Sequence, residues 1–329
     1  MPHQKPASSD LCDTAPQFIV DHEFGDVDEL AEVTKAWDLD FRQLNRGGFT
    51  GSVRQAVIGP IHLADTRLQG VLHQRGTTPT DVLTFCFPGH QQMEFRWRGH
   101  RVGANDILTH QPGGEFESIS KRDFELLLVS VSGEHLEAAG RRLGVPISEQ
   151  TLKCLEITTC APEVVRNLRL LVTTALGLLV RGHALPRAVE QNASDLLVQS
   201  LAAGGIPDRR PPQRRQQRLI EAAIRIARER AHEIHSVKDL CGVSGASERT
   251  LRRGFNERFG ISPRSYLKAQ RLIGARRDLR ASSQAETITD IANRWGFWHM
   301  GQFAKDYKRQ FGELPSGTLS RVAPPGSSA

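Results

Sequence analysis

Residues 247–260 read Ser-Glu-Arg-Thr-Leu-Arg-Arg-Gly-Phe-Asn-Glu-Arg-Phe-Gly, and residues 299–312 read His-Met-Gly-Gln-Phe-Ala-Lys-Asp-Tyr-Lys-Arg-Gln-Phe-Gly. Both segments place apolar residues at positions i, i+4 and i+8, which form one face of a helix. These residues are Leu251, Phe255 and Phe259 in the first copy and Phe303, Tyr307 and Phe311 in the second. Each copy ends at Gly and has Pro three residues later, a pattern that terminates helices. The two segments therefore predict a repeated amphipathic helix.

A shorter apolar segment precedes each of these helices. Val237–Cys241 comes before Gly242-Val243-Ser244-Gly245, and Ile288–Trp295 comes before Gly296-Phe297. A short helix, a tight turn containing Gly and a longer helix make up the helix-turn-helix arrangement. The region at about 214–320 therefore predicts two such units.

The faces opposite the apolar stripes indicate what the longer helices contact. Arg can donate two hydrogen bonds to guanine in the major groove of DNA, and Asn can pair with adenine. The second copy has a smaller, less polar face that suits phosphate or thymine-methyl contact. Trp295 and Phe297 are expected in the core, whereas Trp298 and His299 could contact phosphates or bases or have no such role. The candidate DNA-binding residues are Ser247, Arg249, Arg252, Arg253 and Asn256 in the first helix and His299, Met300, Gly301, Ala304, Lys305 and Lys308 in the second.

The charge of the chain divides along its length. Residues 208–329 contain 24 Lys and Arg against 12 Asp and Glu, and residues 1–207 contain 19 against 25. A basic module is typical of proteins that bind nucleic acid or anionic lipid, and charge alone does not choose between these partners. Residues 1–10 lack the apolar run of a secretory signal, and no segment is apolar and long enough to span a bilayer. We therefore expect no membrane association and a cytoplasmic location.

The N-terminal half is rich in short β-like segments between residues 49 and 131. They recur about every ten residues, and Met93–Trp97 alternates apolar and polar residues as a half-buried strand does. Eight such strands predict a small barrel or jelly roll that can hold one small ligand. The predicted strands are Val53–Ile58, Ile61–Leu68, Val71–Arg75, Val82–Phe87, Met93–Trp97, Asp106–Thr109, Phe116–Ile119 and Phe124–Val131.

Helical periodicity follows the predicted strands. Gly133–Leu143, Pro162–Arg181 and Pro186–Ala203 read as helices, and the apolar stripes of the last two could pack on the barrel or on a second subunit. The predicted domains are a disordered tail at 1–16, a sensor and dimerisation domain at 17–203, a linker at 204–215, a DNA-binding domain at 216–321 and a disordered tail at 322–329. The fold class is thus a two-domain α+β chain, with an N-terminal cupin-like β-barrel and helices and a C-terminal all-α double helix-turn-helix domain.

The C-terminal segments resemble the DNA-binding domain of the AraC/XylS regulators over about 105 residues. The resemblance rests on Ser247–Phe255, Phe259–Pro263, Tyr266, Arg271–Arg276 and Ala292–Phe311. It implies that a helix at about Pro263–Leu279 bridges two helix-turn-helix units, which enter successive major grooves of double-stranded DNA. It also implies a bacterial, nucleoid-associated transcription activator that works with RNA polymerase, is a homodimer and responds to a small-molecule effector.

Within that family, Trp295–Tyr307 resembles the activators of ethanolamine-utilisation operons. Similarity extends to Arg42–Leu44, Phe49–Gly51 and Pro112–Glu117 in the N-terminal half. It implies that ethanolamine together with adenosylcobalamin are candidate effectors. We expect that the chain requires no cofactor. We expect the effector to bind within residues 49–131 and to act on the DNA-binding domain through the helices at 162–203 and the linker.

Two other functions compete with an effector-responsive activator. One is an architectural or constitutive DNA-binding regulator without an effector, which would leave promoter activity unchanged across metabolites. The other is a metal-dependent cupin oxygenase, which needs three or four convergent ligands. The barrel histidines lack close His-x-His spacing followed by Glu, and the five cysteines lack Cys-x-x-Cys spacing, so we predict no metal site, no catalytic residues and no enzyme activity. These histidines are His62, His73, His90, His100 and His110.

Overall fold

The computed structural model describes residues 18–34, 38–97, 100–121, 123–148, 150, 152, 156–186, 188–203, 215–282 and 286–321. Both predicted tails and the linker as far as residue 214 lie outside the described residues. The two-domain α+β organisation is confirmed, with a sheet-rich N-terminal domain and a helical C-terminal domain.

The N-terminal domain contains all eight strands that the sequence predicts, as β3–β7 and β9–β11; β11 has its predicted ends, and the other seven have shifted ends. The sequence did not predict β1, β2, β8, β12 or the short helix α1. The strands are β1 (Phe18–Phe24), β2 (Asp38–Gln43), β3 (Thr50–Ile58), β4 (Ile61–Gln69), β5 (Leu72–Thr77), β6 (Leu83–Pro88), β7 (Phe95–Trp97), β8 (His100–Val102), β9 (Asp106–His110), β10 (Glu115–Ile119), β11 (Phe124–Val131) and β12 (Ile157–Thr159). The helices are α1 (Val27–Val33), α2 (Gly133–Leu143), α3 (Pro162–Val180) and α4 (Ala188–Ala203).

The strands form three antiparallel sheets. The largest has the order β1-β3-β4-β11-β6-β9-β12, a second has β10-β5-β2, and β7 pairs with β8. The predicted closed cupin-like barrel is not confirmed, because no hydrogen-bonded ladder joins these sheets within the described part of the chain. The seven-stranded sheet is buried on both faces, which explains why β11 reads as a nearly continuous apolar run. Leu127 and Val129 pack against the core shared with α3 and α4, while Leu126 and Leu128 pack into the core on the opposite face.

The C-terminal domain consists of helices whose order repeats. The predicted bridging helix extends to Ala281, two residues beyond its predicted end. The short helix of the first unit also continues to Ser244, three residues beyond its predicted end at Cys241, so the turn predicted at residues 242–245 begins at Gly245, with φ of 67°. The helices are α5 (Arg215–Glu229), α6 (Val237–Ser244), α7 (Glu248–Phe259), α8 (Pro263–Ala281), α9 (Ile288–Arg294), α10 (Met300–Phe311) and α11 (Pro315–Ser320).

Side chains fix where the short helices of both units begin. Ser236 and Asp239 form a capping box at the start of α6, and Thr287 and Asp290 form another at the start of α9. Such reciprocal bonds satisfy backbone N–H groups that the first turn leaves unpaired. The same local chemistry thus sets the start of both helix-turn-helix units.

The two domains are in direct contact, which the sequence did not predict. The side chain of Arg276 on α8 forms ion pairs with Asp26 at 3.1 Å and Asp28 at 2.9 Å, beside the start of α1. The hydroxyl of Tyr266 lies 3.1 Å from Nδ1 of the buried His73 on β5. A direct path between the domains therefore exists in addition to the expected path through residues 162–203 and the linker.

Candidate nucleic-acid interface

The first recognition helix, α7, separates its apolar and polar residues as the sequence predicts. Leu251 and Phe255 are buried, while Arg249, Arg252 and Asn256 are exposed. The apolar side packs against α5, whose Ile220 lies so close to Gly254 that a Cβ there would come within 2.3 Å of it. The polar side of α7 is therefore the side available to a partner.

The candidate DNA-binding residues of α7 have different local contacts. The hydroxyl of Ser247 accepts a hydrogen bond of 3.2 Å from the backbone N–H of Thr250 and so caps the helix. Arg252 forms an exposed ion pair of 3.2 Å with Glu248, and Arg253 donates to the side chain of Gln216 on α5. Exposed pairs of this kind contribute little stability, so DNA can compete for both arginines.

The second recognition helix, α10, presents a smaller polar face. Gly301, Lys305 and Lys308 are exposed, whereas Ala304 and Met300 are half-buried. Met300 packs against the core of this unit, which leaves less of its side chain for a partner than the sequence suggested. A partner can approach this face closely at Gly301 and can contact the positive charges of Lys305 and Lys308.

The turn before α10 contains three aromatic residues and His299. Trp295 and Phe297 lie in the core, as the sequence predicts. Trp295 is buried and its indole N–H donates to Asp278 at 2.8 Å, while Phe297 packs at the edge of the same core. Trp298 is 72% exposed, and His299 is exposed at the start of α10 without a side-chain capping bond. An exposed Trp at the start of a recognition helix is a candidate contact residue.

A groove between the two helix-turn-helix units contains cationic residues that sequence reasoning missed. It has a volume of about 520 Å³, and its walls include Arg264, Lys268 and Arg271 from α8. These residues are spaced i, i+4 and i+7 and therefore share one face of α8. This spacing on one helix face is the sequence signal for them, although the resemblance implies only that α8 is a bridge.

The cations of the groove differ in how strongly they are neutralised. Lys268 forms an ion pair of 2.5 Å with Asp306, and the Arg271 guanidinium lies 5.3 Å from the ring centre of Phe297. Burial would raise the pKa of Asp306, but hydrogen bonds from Lys268 and Gln302 outweigh it and hold that pKa below its ordinary value. Arg264 is exposed and Arg271 is half-buried, so these two offer the groove's positive charge to a partner.

A metal centre and a membrane-spanning helix are both absent from the described ranges. No three His, Cys, Asp or Glu side chains converge there as a ligand set for a metal ion. None of the described helices has both the length and the apolar character needed to cross a bilayer.

Comparison with protein families matches residues 240–321 to a helix-turn-helix domain. This region is an AraC-type helix-turn-helix domain. The matched residues include α7, α8 and α10, and hence both recognition helices and the cationic residues of α8.

Known regulators are similar to the AraC-type domain of this chain. The probable thc operon regulatory protein of Rhodococcus erythropolis is 38% identical over 105 residues, which are 32% of this chain and 32% of that protein. The XylDLEGF operon transcriptional activator of Pseudomonas putida is 34% identical over 100 residues, which are 30% of this chain and 31% of that protein. The crystal structure of a probable AraC family transcriptional regulator from Rhodopseudomonas palustris is 30% identical and covers 32% of this chain and 98% of its own, with a TM-score of 0.30. The similarity thus spans about a third of the two operon regulators, and it concerns the AraC-type domain.

Proposed function

We propose that this chain is a sequence-specific DNA-binding transcription regulator that activates a catabolic operon in response to a small effector. The observation that carries the proposal is the pair of AraC-type recognition helices, each with its apolar side buried and a cationic side exposed, joined by the single helix α8. A role in transcription is also supported by a similar protein whose name describes it as an operon transcriptional activator.

The two recognition helices have different roles in this proposal. Arg249, Arg253 and Asn256 on α7 read base edges, since Arg and Asn can each make two hydrogen bonds to one base. Lys305 and Lys308 on α10 contact phosphates, and the small residue Gly301 permits close approach to the groove floor. Arg264 and Arg271 on α8 contact the phosphates between the two major grooves, because they line the groove between the two helix-turn-helix units.

The N-terminal domain acts in this proposal as the sensor, with a cupin-like arrangement of its sheets. The resemblance of Trp295–Tyr307 nominates ethanolamine together with adenosylcobalamin as the first compounds to test. The chain forms a homodimer through α3 and α4, on which the apolar Leu170 is 64% exposed. Recruitment of RNA polymerase at the promoter completes the activation.

Mapping the DNA bound by the full-length chain across its own genome tests this function. A band-shift experiment should then show binding to the recovered segment that exceeds binding to random DNA by a factor of about 10³ or more. The affinity should fall steeply as salt rises, because several Lys and Arg residues displace counterions from phosphates. No enrichment at any genomic segment, or equal affinity for recovered and random DNA, would contradict sequence-specific regulation.

A further inference from the structure

The three-stranded sheet β10-β5-β2 presents an ordered charged face to the DNA-binding domain. Strand register aligns residues across the sheet, and alternate residues of a strand point to the same side. Two aligned rows of this face are Asp38, Thr77 and Glu115, followed by Asp40, Arg75 and Glu117.

The next row of the sheet is covered by the DNA-binding domain. Here His73 is buried against Tyr266, and Nη1 of Arg42 donates to Oε1 of Gln270 at 2.5 Å. Ile119, opposite His73, packs into the core of the first helix-turn-helix unit. The docked row therefore holds the two domains together at one end of this face.

The first two rows border a cleft that stays open beside the docked row. It has a volume of about 360 Å³, and its opposite wall is the end of α5 at Arg228 and Glu229. One wall is thus supplied by the sheet domain and the other by the DNA-binding domain. A ligand in this cleft would contact both domains at once.

The cleft carries more carboxylates than cations. Asp40 is neutralised by Arg42 at 2.9 Å and by Arg228, and Glu117 is neutralised by Arg258 at 2.9 Å. Asp38 and Glu229 are exposed and form no ion pair with another described residue. These two carboxylates provide a place for a positively charged group.

Arg228 provides a second, independent indication of a ligand. Its side chain is only 10% exposed, and its Nη2 is paired with Asp40. Its Nε, however, has no hydrogen-bond partner in the described structure. A buried N–H without an acceptor costs free energy, and an acceptor brought by a ligand would recover it. Arg75, in the middle row on the opposite wall, is a second donor that can face such an acceptor.

We infer that this cleft binds a small amino acid-like ligand that carries a carboxylate and at least one ammonium group. The carboxylate is held by Arg228 and Arg75, and the ammonium group by Asp38 and Glu229. The chemistry follows from the two donors and the two free carboxylates that face each other across the cleft. The inference rests on the proposed function, in which an effector regulates DNA binding, and it names an amino acid-like effector in place of the ethanolamine that the sequence resemblance nominates.

Ligand occupancy has a short route to the recognition helix. The helix α5 that carries Arg228 and Glu229 also packs against α7 through Ile220 and Gly254. Arg258 of α7 pairs with Glu117 on the floor of the cleft. A ligand that draws α5 towards the sheet would therefore change the position of α7 relative to DNA.

The test measures binding of each standard α-amino acid to the full-length chain by calorimetry. At least one should bind at millimolar concentration or tighter, and Asp38→Asn should weaken its binding about tenfold or more, because the negative charge that attracts the ammonium group is lost. The matched control Asp21→Asn changes an exposed carboxylate on β1, in the other sheet, and should leave the affinity unchanged. Arg75→Gln should weaken binding of the amino acid to a similar extent. Because this replacement removes a partner of the ligand carboxylate, the affinity for the amino acid amide should fall less than the affinity for the amino acid.

A DNA band shift on the same preparations separates this inference from the proposed function. The bound amino acid should change the affinity for the mapped DNA segment severalfold in the wild type and not in Asp38→Asn. If the chain binds its DNA but no amino acid, or if Asp38→Asn and Arg75→Gln leave amino acid binding intact, the inference is wrong and the proposed function stands. If the chain binds no specific DNA, the proposed function is wrong whatever the calorimetry shows.

Discussion

His73 should make the stability of this chain fall on mild acidification. Its side chain is fully buried between the domains. Burial lowers the pKa of His73 from its ordinary 6.5 to about 4, because a charged imidazole would lose its hydration, and Glu117 only partly offsets this effect. The charges of Arg228 and Arg258 also face the ring and oppose its protonation. A neutral imidazole fits the geometry, since it can donate to Glu117 at 2.7 Å and accept from the Tyr266 hydroxyl.

The sign and size of the effect follow from the two states. The pKa of His73 is lower in the folded chain than in the unfolded chain, so on acidification the unfolded chain binds the proton first. Stability that is fully present above pH 6.5 is therefore lost progressively as the pH falls towards 4. Each pH unit within that window costs about 1.4 kcal/mol, so a change from pH 7 to pH 5 should lower the free energy of unfolding by about 2 kcal/mol through this residue.

Urea denaturation of the full-length chain at pH 7 and pH 5 measures this contribution. The replacement His73→Gln removes the titrating group, so the variant should lose less stability than the wild type over the same pH interval, by about 2 kcal/mol. The matched control is His183→Gln, because His183 is exposed and its replacement should preserve the wild-type pH dependence. The same pH dependence in His73→Gln and wild type would refute the assignment of a buried neutral imidazole.

Three further substitutions test the packing, the reading of DNA and the docking of the domains. Leu251→Ala should lower the free energy of unfolding by about 2–5 kcal/mol, because the side chain is fully buried, and urea denaturation should show no comparable loss for the exposed Arg252→Ala. Arg253→Ala should weaken binding to the specific DNA segment by about 1–3 kcal/mol and relax the preference at one or two bases, whereas an equal loss on random DNA would indicate only a phosphate contact. Arg276→Met should lower the stability of the docked chain by about 1–3 kcal/mol, since it removes the largely buried cation that pairs with Asp26 and Asp28, and an unchanged urea midpoint would show that this ion-pair cluster does not hold the domains together.

The C-terminal fold could be predicted from sequence because its signals are local. The helical spacing of apolar residues, the Gly at each turn and the Gly and Pro that end each longer helix all lie within about a dozen residues of one another. Of the predicted turn at residues 242–245, only Gly245 lies outside the helix, and the helix hydrogen bonds that continue to Ser244 are not visible in the sequence. The same periodicity predicts which sides of α7 and α10 are exposed. The candidate residues on those sides can therefore be named from the sequence, whereas their contacts require the structure.

Much of the N-terminal domain and the domain interface could not be predicted in this way. The strands β8 and β12 have three residues each, too few for a recognisable alternation. The strand β2 alternates charged and apolar residues in Asp38–Gln43, and its charged side is stabilised by Arg228, which is far away in the sequence. The contact between His73 and Tyr266 depends on how the two domains pack together, and no local sequence pattern predicts that packing.

The position of α8 explains how the two domains can influence each other. Tyr266, Gln270 and Arg276 on one side of this helix contact the sheet domain. Arg264 and Lys268 on its other side line the groove between the two helix-turn-helix units. A displacement of the sheet domain by ligand binding would therefore move the helix that sets the spacing between α7 and α10. Because successive major grooves of DNA have a fixed separation, a small change in that spacing is enough to alter affinity while each recognition helix stays intact.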